Sequence, residues 1–214
     1  MSYRYPERLR LDFRQRAYMS GAFAGWSQLL SWGKGLAAFL AGRESPWDRV
    51  KMQVPAGAFG PGSQHPFPEY FEGESSVRVG SIDDIVAWLQ TCEYVSDLEL
   101  FRQRDYWQHP GVFEKRKRGD CEDFALWAWR KLAEIGIDAE FCVGRVFCDT
   151  RPELDRQHAW IIYRLNGTEF LFEPAARTAS SMIRPLDDVM DKYVPHFAVN
   201  HQFDTAAFAG CVVA

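Results

Sequence analysis

The chain lacks the cysteine patterns that mark disulfide-rich domains and structural zinc sites. It has five cysteines, an odd number, and no two of them stand in a CxxC spacing. A disulfide framework uses paired cysteines and a structural zinc site uses closely spaced ones, so both are disfavoured. A reducing compartment is the default expectation.

Strong charge of one sign and an uninterrupted hydrophobic run are also missing. The formal net charge is -4, so nucleic acid is not an expected partner, and the basic run at residues 115–118 is interpreted as a solvated loop. The most apolar segment, residues 22–41, contains Gln28, Lys34 and three glycines. It therefore predicts a packed amphipathic helix and no stable membrane insertion.

The N-terminal part differs in character from the rest of the chain. Residues 1–16 are polar and rich in arginine, without the apolar region of a signal peptide. A cytoplasmic location is therefore the default, with periplasmic or secreted locations left open.

Proline and glycine cluster in residues 54–73 and predict an irregular loop or linker. We expect residues 1–60 to form a helical extension with its linker, and residues 61–214 to form the main domain. The helix of the extension is expected to pack on the core, with covering a cleft or binding a partner as alternatives.

One segment combines a turn, an N-cap residue and a long apolar helix. Gly119 is followed by Asp120, a good N-cap, and then by Cys121, which is predicted as the first helical residue. Apolar residues recur at helical spacing up to residue 135, and Gly136 suits the left-handed position that ends a helix. The wide apolar surface predicts a helix packed inside the domain, close to a sheet.

The hairpin that follows has a register that can be counted. The other periodic segments are predicted as a helix after the N-cap Ser81, strands at 139–147, 157–165 and 168–173, a short helix at 186–192 and a strand near 196–203. Asn166-Gly167 between two of these strands is a two-residue turn signal. Counting back from it places His158 and Glu173 on one face as diagonal neighbours.

Cys121, His158 and Glu173 are the groups that thiol catalysis needs. A thiol attacks carbonyl carbon as the thiolate, which a helix N-terminus and a neighbouring imidazole both stabilise. Glu173 would orient the imidazole of His158. The backbone N–H of Cys121 is a candidate oxyanion donor, and the side chains of Trp107 or Gln108 are weaker ones.

The acids that flank the cysteine act against this chemistry. Asp120, Glu122 and Asp123 surround Cys121, and nearby negative charge disfavours a thiolate. We therefore expect each carboxylate to cap backbone, to reach an arginine or the basic run at residues 115–118, or to bind a cation. Calcium is the natural candidate because carboxylate oxygens are its preferred ligands.

The motifs together resemble the transglutaminase-like superfamily, and most closely the bacterial transglutaminase-like cysteine proteinases. The resemblance spans roughly residues 81–175 and is carried by Asp105-Tyr106-Trp107-x-x-Pro110, Gly119-Asp120-Cys121-Glu122-Asp123, His158-Ala159-Trp160 and Glu173-Pro174. It implies a papain-like α+β fold for residues 61–214, in which a central helix begins at the nucleophilic cysteine and packs on an antiparallel sheet.

The resemblance also implies a site. Its triad maps to Cys121, His158 and position 173, where this chain has glutamate and the family usually has aspartate. Some of these bacterial proteinases are calcium-dependent periplasmic enzymes that cleave surface adhesins, and the acids beside their cysteine help to bind the ion. Asp120 and Glu122 match those acids, so calcium is a hypothesis for this chain; no other cofactor is expected. The adhesin substrate is not carried over.

Three functions are compatible with these residues. The first is a cysteine peptidase or amidase that hydrolyses a peptide or amide bond through an acyl-enzyme on Cys121. The second is a transglutaminase, which would pass the acyl group of a protein glutamine to an amine. The third is a binding module that retains the fold without catalysis. A protein or peptide is the expected partner in each case.

Overall fold

An antiparallel sheet crossed by one long helix organises the part of the chain that the structure describes. The computed structural model describes residues 45–50, 52–147 and 156–211; the amphipathic helix predicted at residues 22–41 lies outside them. The seven strands of the main sheet have the order β1-β9-β8-β4-β5-β6-β7. In chain order they are β1 Arg49–Val50, β4 Ala139–Val146, β5 Arg156–Leu165, β6 Thr168–Phe172, β7 Ile183–Pro185, β8 Tyr193–Asn200 and β9 Thr205–Phe208.

The helices precede most of the sheet in sequence. They are α1 Ile82–Leu89, α2 Asp97–Phe101, α3 Pro110–Arg116, α4 Cys121–Glu134 and α5 Ala179–Met182. A short parallel pair, β2 Glu93–Tyr94 and β3 Arg118–Gly119, leads into α4. This combination confirms the predicted α+β class, with a central helix that starts at the cysteine and packs on an antiparallel sheet. In the described ranges, no helix is both long and apolar enough to cross a bilayer.

Helix α4 begins and ends where the sequence predicts. Asp120 has extended backbone at the N-cap position and Cys121 is the first helical residue. At the other end Gly136 has a φ of 75°, and the N–H groups of Gly136 and Ile137 donate to the carbonyls of Ala133 and Leu132 at 3.0 and 2.9 Å. These two bonds form a Schellman motif, which requires the left-handed residue that glycine supplies.

The body of α4 is buried, as its apolar surface predicts. Ala125, Trp127, Ala128 and Trp129 are fully buried. The helix belongs to the larger core, together with Ala159, Ile161 and Tyr163 of β5. Residues that alternate with these on β5, such as Trp160 and Ile162, belong to a smaller core with Leu171 and Tyr193. The sheet therefore has a buried face on each side, and α4 covers one of them.

The hairpin β5–β6 has the predicted turn and register. Asn166 and Gly167 have φ values of 53° and 81°, as a type I′ turn requires. Leu165 pairs with Thr168, and the ladder continues to Ile161 opposite Phe172. Beyond that pair β6 ends, and the N–H of Glu173 donates to the carbonyl of Met182 at 2.7 Å.

The C-terminal elements differ from the sequence prediction. The helix predicted at residues 186–192 is a single 3-10 turn, Leu186–Asp188. The single strand predicted near residues 196–203 is a hairpin of β8 and β9, and β8 already starts at Tyr193. Pro195 hid this start because proline cannot donate to a ladder. The sheet accommodates it with a register shift between Val143 and Gly144 of the adjacent strand β4.

Residues that the sequence assigns to the N-terminal extension contribute to the sheet and core. Arg49 and Val50 pair with Phe208 and Ala207 of β9, and Val54 and Phe59 are buried in the larger core. The division at residue 60 stays a prediction, while residues 45–50 and 52–60 pack with the main domain. The proline- and glycine-rich loop is ordered by two 3-10 turns, Ala56–Ala58 and Phe67–Phe71.

A buried charge network ties α4 to α3 and to the loop before α1. Lys131 of α4 is fully buried, and its Nζ lies 3.4 Å from Oε1 of Glu114. The Glu114 carboxylate also accepts hydrogen bonds from Ser75, Ser76 and the indole N–H of Trp127. Burial acts to raise the pKa of Glu114, but these hydrogen bonds outweigh it and lower the pKa to about 2.

We predict that Glu114→Gln destabilises the protein by roughly 2 kcal/mol near neutral pH, because the buried Lys131 would keep only Glu134, 2.8 Å away, as an ionic partner, and the hydrogen bonds to Glu114 would lose their charged acceptor. A carboxyl with a depressed folded pKa stabilises the protein above its unfolded value, 4.5, and loses that contribution as pH falls through about 2. The difference in melting temperature from wild type should therefore be largest at pH 6–7 and shrink below pH 4.5. Glu169→Gln, an exposed carboxylate on β6, is the control; equal melting temperatures for Glu114→Gln and wild type at pH 7 would contradict the prediction.

Candidate active site

Cys121 lies at the N-terminal end of α4, where the helix meets the end of the sheet. Its Sγ is within 3.1 Å of Oε2 of Glu122 and also hydrogen-bonds to the side chain of His158. As the first helical residue, Cys121 has a backbone N–H with no partner inside the helix. The described residues offer it no other acceptor. Both the thiol and a free N–H thus point to one place.

The course of the backbone into the helix that begins at Cys121 is determined by Gly119 and Asp123. A Cβ at position 119 would collide with the carboxylate of Asp123. That carboxylate is buried and accepts the backbone N–H of Gln108 at 2.7 Å, and also the side-chain amide of Gln108. Of the alternatives left open for Asp123, the structure thus shows a carboxylate that accepts from backbone and side-chain amide groups. Glycine is required before the helix because Asp123 folds back against it.

His158 and Glu173 meet as the hairpin register predicts. Nε2 of His158 lies 2.6 Å from Oε2 of Glu173, and both side chains are buried. Because Nε2 is used by Glu173, Nδ1 is the ring nitrogen left for the Cys121 thiol. The structure therefore brings Cys121, His158 and Glu173 together in that order.

The charge state of His158 follows from these two neighbours. Burial lowers the pKa of His158, but the negative charges of Glu173 and of the Cys121 thiolate outweigh it and raise the pKa to about 10. The imidazole is thus held as a cation at neutral pH when its neighbours are anionic. This is the state in which it stabilises a thiolate and can later donate a proton.

Two residues behind the triad were not found from the sequence. The hydroxyl of Tyr193 donates to Oε2 of Glu173 at 3.2 Å, and Nη2 of Arg184 donates to the Tyr193 oxygen at 3.0 Å. They lie on β8 and β7, strands that no motif in the sequence connects to the hairpin. Arg184 stands between Ile183 and Pro185 in β7, while Tyr193 begins a strand that also contains His196 and Asn200, so neither residue is marked by its local sequence.

Trp107 and Gln108, the predicted side-chain donors for an oxyanion, have other acceptors. The indole N–H of Trp107 donates to Asp105 at 3.0 Å, and its buried ring packs against Phe141. The side-chain amide of Gln108 donates to the carbonyl of Arg118 at 2.9 Å and to Asp123. Their role as oxyanion donors stays a prediction. In the structure Gln108 contacts the first turn of α4 through Asp123, and among the described residues the backbone N–H of Cys121 has no acceptor.

An acidic cluster lies next to the cysteine. It consists of Asp97, Asp120 and Glu122, all buried, with one carboxylate oxygen of each within 4.8 Å of the others. Asp97 was not predicted from the sequence. Asp120 occupies the N-cap position without capping its helix; its Oδ2 instead accepts the N–H of Asp97 at 3.3 Å. In the described part of the chain, no lysine or arginine forms an ion pair with the cluster.

The three buried carboxyl groups of the cluster disfavour one another's ionisation. Burial and the charge of Asp120 raise the pKa of Asp97 to about 8, and burial raises the pKa of Asp120 to about 6. Burial, followed by Asp120 and Cys121, raises the pKa of Glu122 well above its ordinary value. One oxygen each of Asp97 and Asp120 is buried without a hydrogen-bond partner. Three buried carboxylates with spare oxygens are a donor set that fits a hard divalent cation.

Tyr94 is a further neighbour that the sequence does not reveal. The parallel β2–β3 pair places it opposite Gly119, two residues before the cysteine. Burial, followed by the negative charges of Cys121 and Asp120, raises the pKa of Tyr94 well above its ordinary value. Its hydroxyl therefore stays protonated beside the site.

Comparison with known proteins gives a structural likeness. No protein-family profile and no curated protein matches this chain. Calcium-bound LapG of Legionella pneumophila is 13% identical with a TM-score of 0.45, covering 82% of this chain and 87% of that one. For EGTA-treated LapG the identity is 17%, the TM-score 0.44 and the coverage 56% and 62%, so this chain spans less than two thirds of that structure.

A candidate cysteine protease from Cytophaga hutchinsonii is also similar, at 14% identity and a TM-score of 0.38, with 75% and 46% of the two chains covered. The structural neighbours thus include the class of enzyme that the motifs resemble. With TM-scores below 0.5 they carry no argument about activity, which has to come from the geometry of the site itself.

We predict that Asp97→Asn stabilises the protein at high pH when divalent cations are chelated. A carboxyl whose folded pKa is raised to about 8 contributes stability below its unfolded value, and that contribution is lost as pH rises through about 8. Asparagine keeps the shape without the charge. In EGTA, the variant should melt several degrees above wild type at pH 9, with the gain gone at pH 4–5. Asp187→Asn, an exposed acid, should show no such dependence; an unchanged or lower melting temperature for Asp97→Asn at pH 9 would contradict the prediction.

Proposed function

We propose that this chain is a thiol-dependent hydrolase that cleaves a peptide or amide bond through an acyl-enzyme on Cys121. The observation that carries the proposal is the arrangement of Cys121, His158 and Glu173, with the thiol hydrogen-bonded to the imidazole and Nε2 of His158 2.6 Å from Glu173. These are a nucleophile, a proton carrier and an orienting acid in contact. A cysteine that only fills a core does not require a histidine and an acid in contact with it.

The first half-reaction forms a thioester and releases an amine. The Cys121 thiolate attacks the carbonyl carbon of the substrate, and the C–O double bond becomes an oxyanion. The backbone N–H of Cys121 can donate to that oxyanion, because it has no acceptor among the described residues and lies at the positive end of α4. The C–N bond then breaks, and His158 transfers its proton to the leaving nitrogen.

The second half-reaction restores the enzyme with water. Neutral His158 removes a proton from a water molecule, and the resulting hydroxide attacks the thioester carbon. The C–S bond breaks, the acid product leaves, and the proton on His158 again balances the Cys121 thiolate. Glu173 holds Nε2 of the ring throughout, so the ring presents Nδ1 to the thiol and to the reacting atoms in both halves.

We also propose that Asp97, Asp120 and Glu122 hold calcium. The proposal rests on the shared burial of the three residues, on a separation of at most 4.8 Å between their ligand oxygens, and on the unpartnered oxygens of Asp97 and Asp120. When bound, the ion would supply positive charge to neutralise the three carboxylates. Glu122 could then turn from the Cys121 thiol, 3.1 Å away, and His158 would be left as the partner of the sulfur.

We predict that Cys121 is alkylated by iodoacetamide at pH 6 at least about 10-fold faster than free cysteine, because the neighbouring His158 imidazole can accept the proton of the thiol and stabilise the attacking sulfur. The rate and the modified position are read by mass spectrometry of the intact chain and its peptides. His158→Ala should lose the excess rate, while Cys92→Ala, which removes a half-buried thiol elsewhere, should keep it. A wild-type rate equal to that of free cysteine, with calcium present, would favour a non-catalytic binding module.

A small acyl donor separates hydrolysis from acyl transfer in the same assay. With p-nitrophenyl acetate, wild type should release p-nitrophenol with a burst, carry an acetyl group on Cys121 and turn over to acetate. Cys121→Ala should show no burst. A primary amine should leave turnover unchanged for a hydrolase. Acceleration by the amine, with acetylated amine as the product, would instead identify a transglutaminase-type transfer.

We predict that calcium raises the melting temperature of wild type by about 5 °C or more at saturation, because a ligand that binds only the folded state stabilises it by about 2.7 kcal/mol at 100 times its Kd. Scanning fluorimetry in calcium and in EGTA measures the shift. Asp120→Asn should reduce it strongly, and Glu99→Gln, an exposed acid on the same helix as Asp97, should not. Identical melting curves of wild type in calcium and EGTA would rule the site out.

A further inference from the structure

A tyrosine and an arginine extend the triad on the side away from the cysteine. Tyr193 is buried at the first position of β8, and its hydroxyl donates to Oε2 of Glu173 at 3.2 Å. The same oxygen of Glu173 contacts Nε2 of His158 at 2.6 Å. Arg184 of β7 completes the chain by donating to the Tyr193 oxygen at 3.0 Å. One carboxylate oxygen is thus held from two directions.

The ring of Tyr193 is itself fixed by its surroundings. Trp160, two residues after His158 on β5, packs edge-on against it with centroids 5.2 Å apart. The guanidinium of Arg184 lies 5.8 Å from the centre of the same ring. Burial, and then the charge of Glu173, raise the pKa of Tyr193 above its ordinary value, so the hydroxyl remains a donor. A rigid, protonated phenol beside a carboxylate is a directional constraint.

Glu173 has particular need of such a constraint. A glutamate has one more rotatable bond than an aspartate, so its carboxylate can reach the same point in more conformations. Glu173 follows the last residue of β6, where ladder pairing with β5 has already ended at Phe172. Its other oxygen, Oε1, is buried without a partner in the described structure. Among the described residues, the hydroxyl of Tyr193 is the side-chain group that holds this carboxylate in addition to His158.

We propose that Tyr193, held by Arg184, is a positioning residue that keeps the Glu173 carboxylate on Nε2 of His158 and so aims the imidazole at Cys121. The inference deepens the hydrolase proposed above and rests on it for its kinetic consequence. The geometric consequence does not depend on turnover: the hydrogen bond between His158 and Glu173 should weaken when the phenol is lost. The two can therefore be tested apart.

Tyr193→Phe tests the hydroxyl while keeping the ring. We expect the acylation rate with p-nitrophenyl acetate to fall about 10-fold with little change in KM, because the loss lies in the orientation of a catalytic group and not in substrate binding. In a Glu173→Ala background the same substitution should change nothing, because the carboxylate through which Tyr193 acts is gone. Tyr163→Phe, which removes a hydroxyl from the larger core, is the control for a purely structural effect.

A second readout is independent of activity. The proton between His158 and Glu173 should give a downfield proton resonance that disappears in His158→Ala. In Tyr193→Phe it should move upfield or broaden by faster exchange with water, and in Tyr163→Phe it should stay. If wild type shows no acyl turnover but this resonance responds to Tyr193→Phe, the hydrolase proposal fails and the positioning role stands. An unchanged resonance, or a full acylation rate in a folded Tyr193→Phe protein, would overturn the positioning role.

Discussion

The contact between the Asp123 carboxylate and Gln108 is the constraint on which the site depends. Asp123 lies in the first turn of α4 and accepts both the backbone and the side-chain N–H of Gln108. Gly119 leaves the space that this carboxylate occupies. Together they fix the direction in which the chain enters the helix. The orientation of the Cys121 thiol and N–H, and the meeting of the thiol with His158, follow from that entry.

The hydrogen-bonded chain through the triad has a positively charged residue at one end and a group of carboxylates at the other. Hydrogen bonds of 2.6 to 3.2 Å connect Arg184, Tyr193, Glu173 and His158. The imidazole of His158 then contacts the Cys121 thiol. Beyond the sulfur this chain continues into carboxylates without a positive member. Glu122 and His158 therefore compete for the same sulfur. An additional positive charge among the acids would decide that competition in favour of the imidazole.

Local signals predicted those parts of the fold that depend on few residues. Asp120 before an apolar periodicity and Gly136 after it gave the bounds of α4, and Asn166-Gly167 gave a register that placed His158 beside Glu173. The start of strand β8 was misplaced because Pro195 is a breaker by local rules, and it is pairing with β4 that extends the strand back to Tyr193. Asp97, Tyr94, Tyr193 and Arg184 were missed for a related reason. Their importance comes from tertiary proximity, which no spacing in the chain encodes.

The turn at Asn166-Gly167 also sets the strand register that brings His158 beside Glu173. It lies at the far end of the hairpin, and His158 is seven residues before Leu165, the last residue of β5, roughly 23 Å away at the usual rise of a strand. Side chains alternate along a strand, so a slip of the pairing by one residue would send either His158 or Glu173 to the opposite face. A residue inserted in this turn is therefore compatible with an intact triad only if a longer loop absorbs it and the strands keep their register.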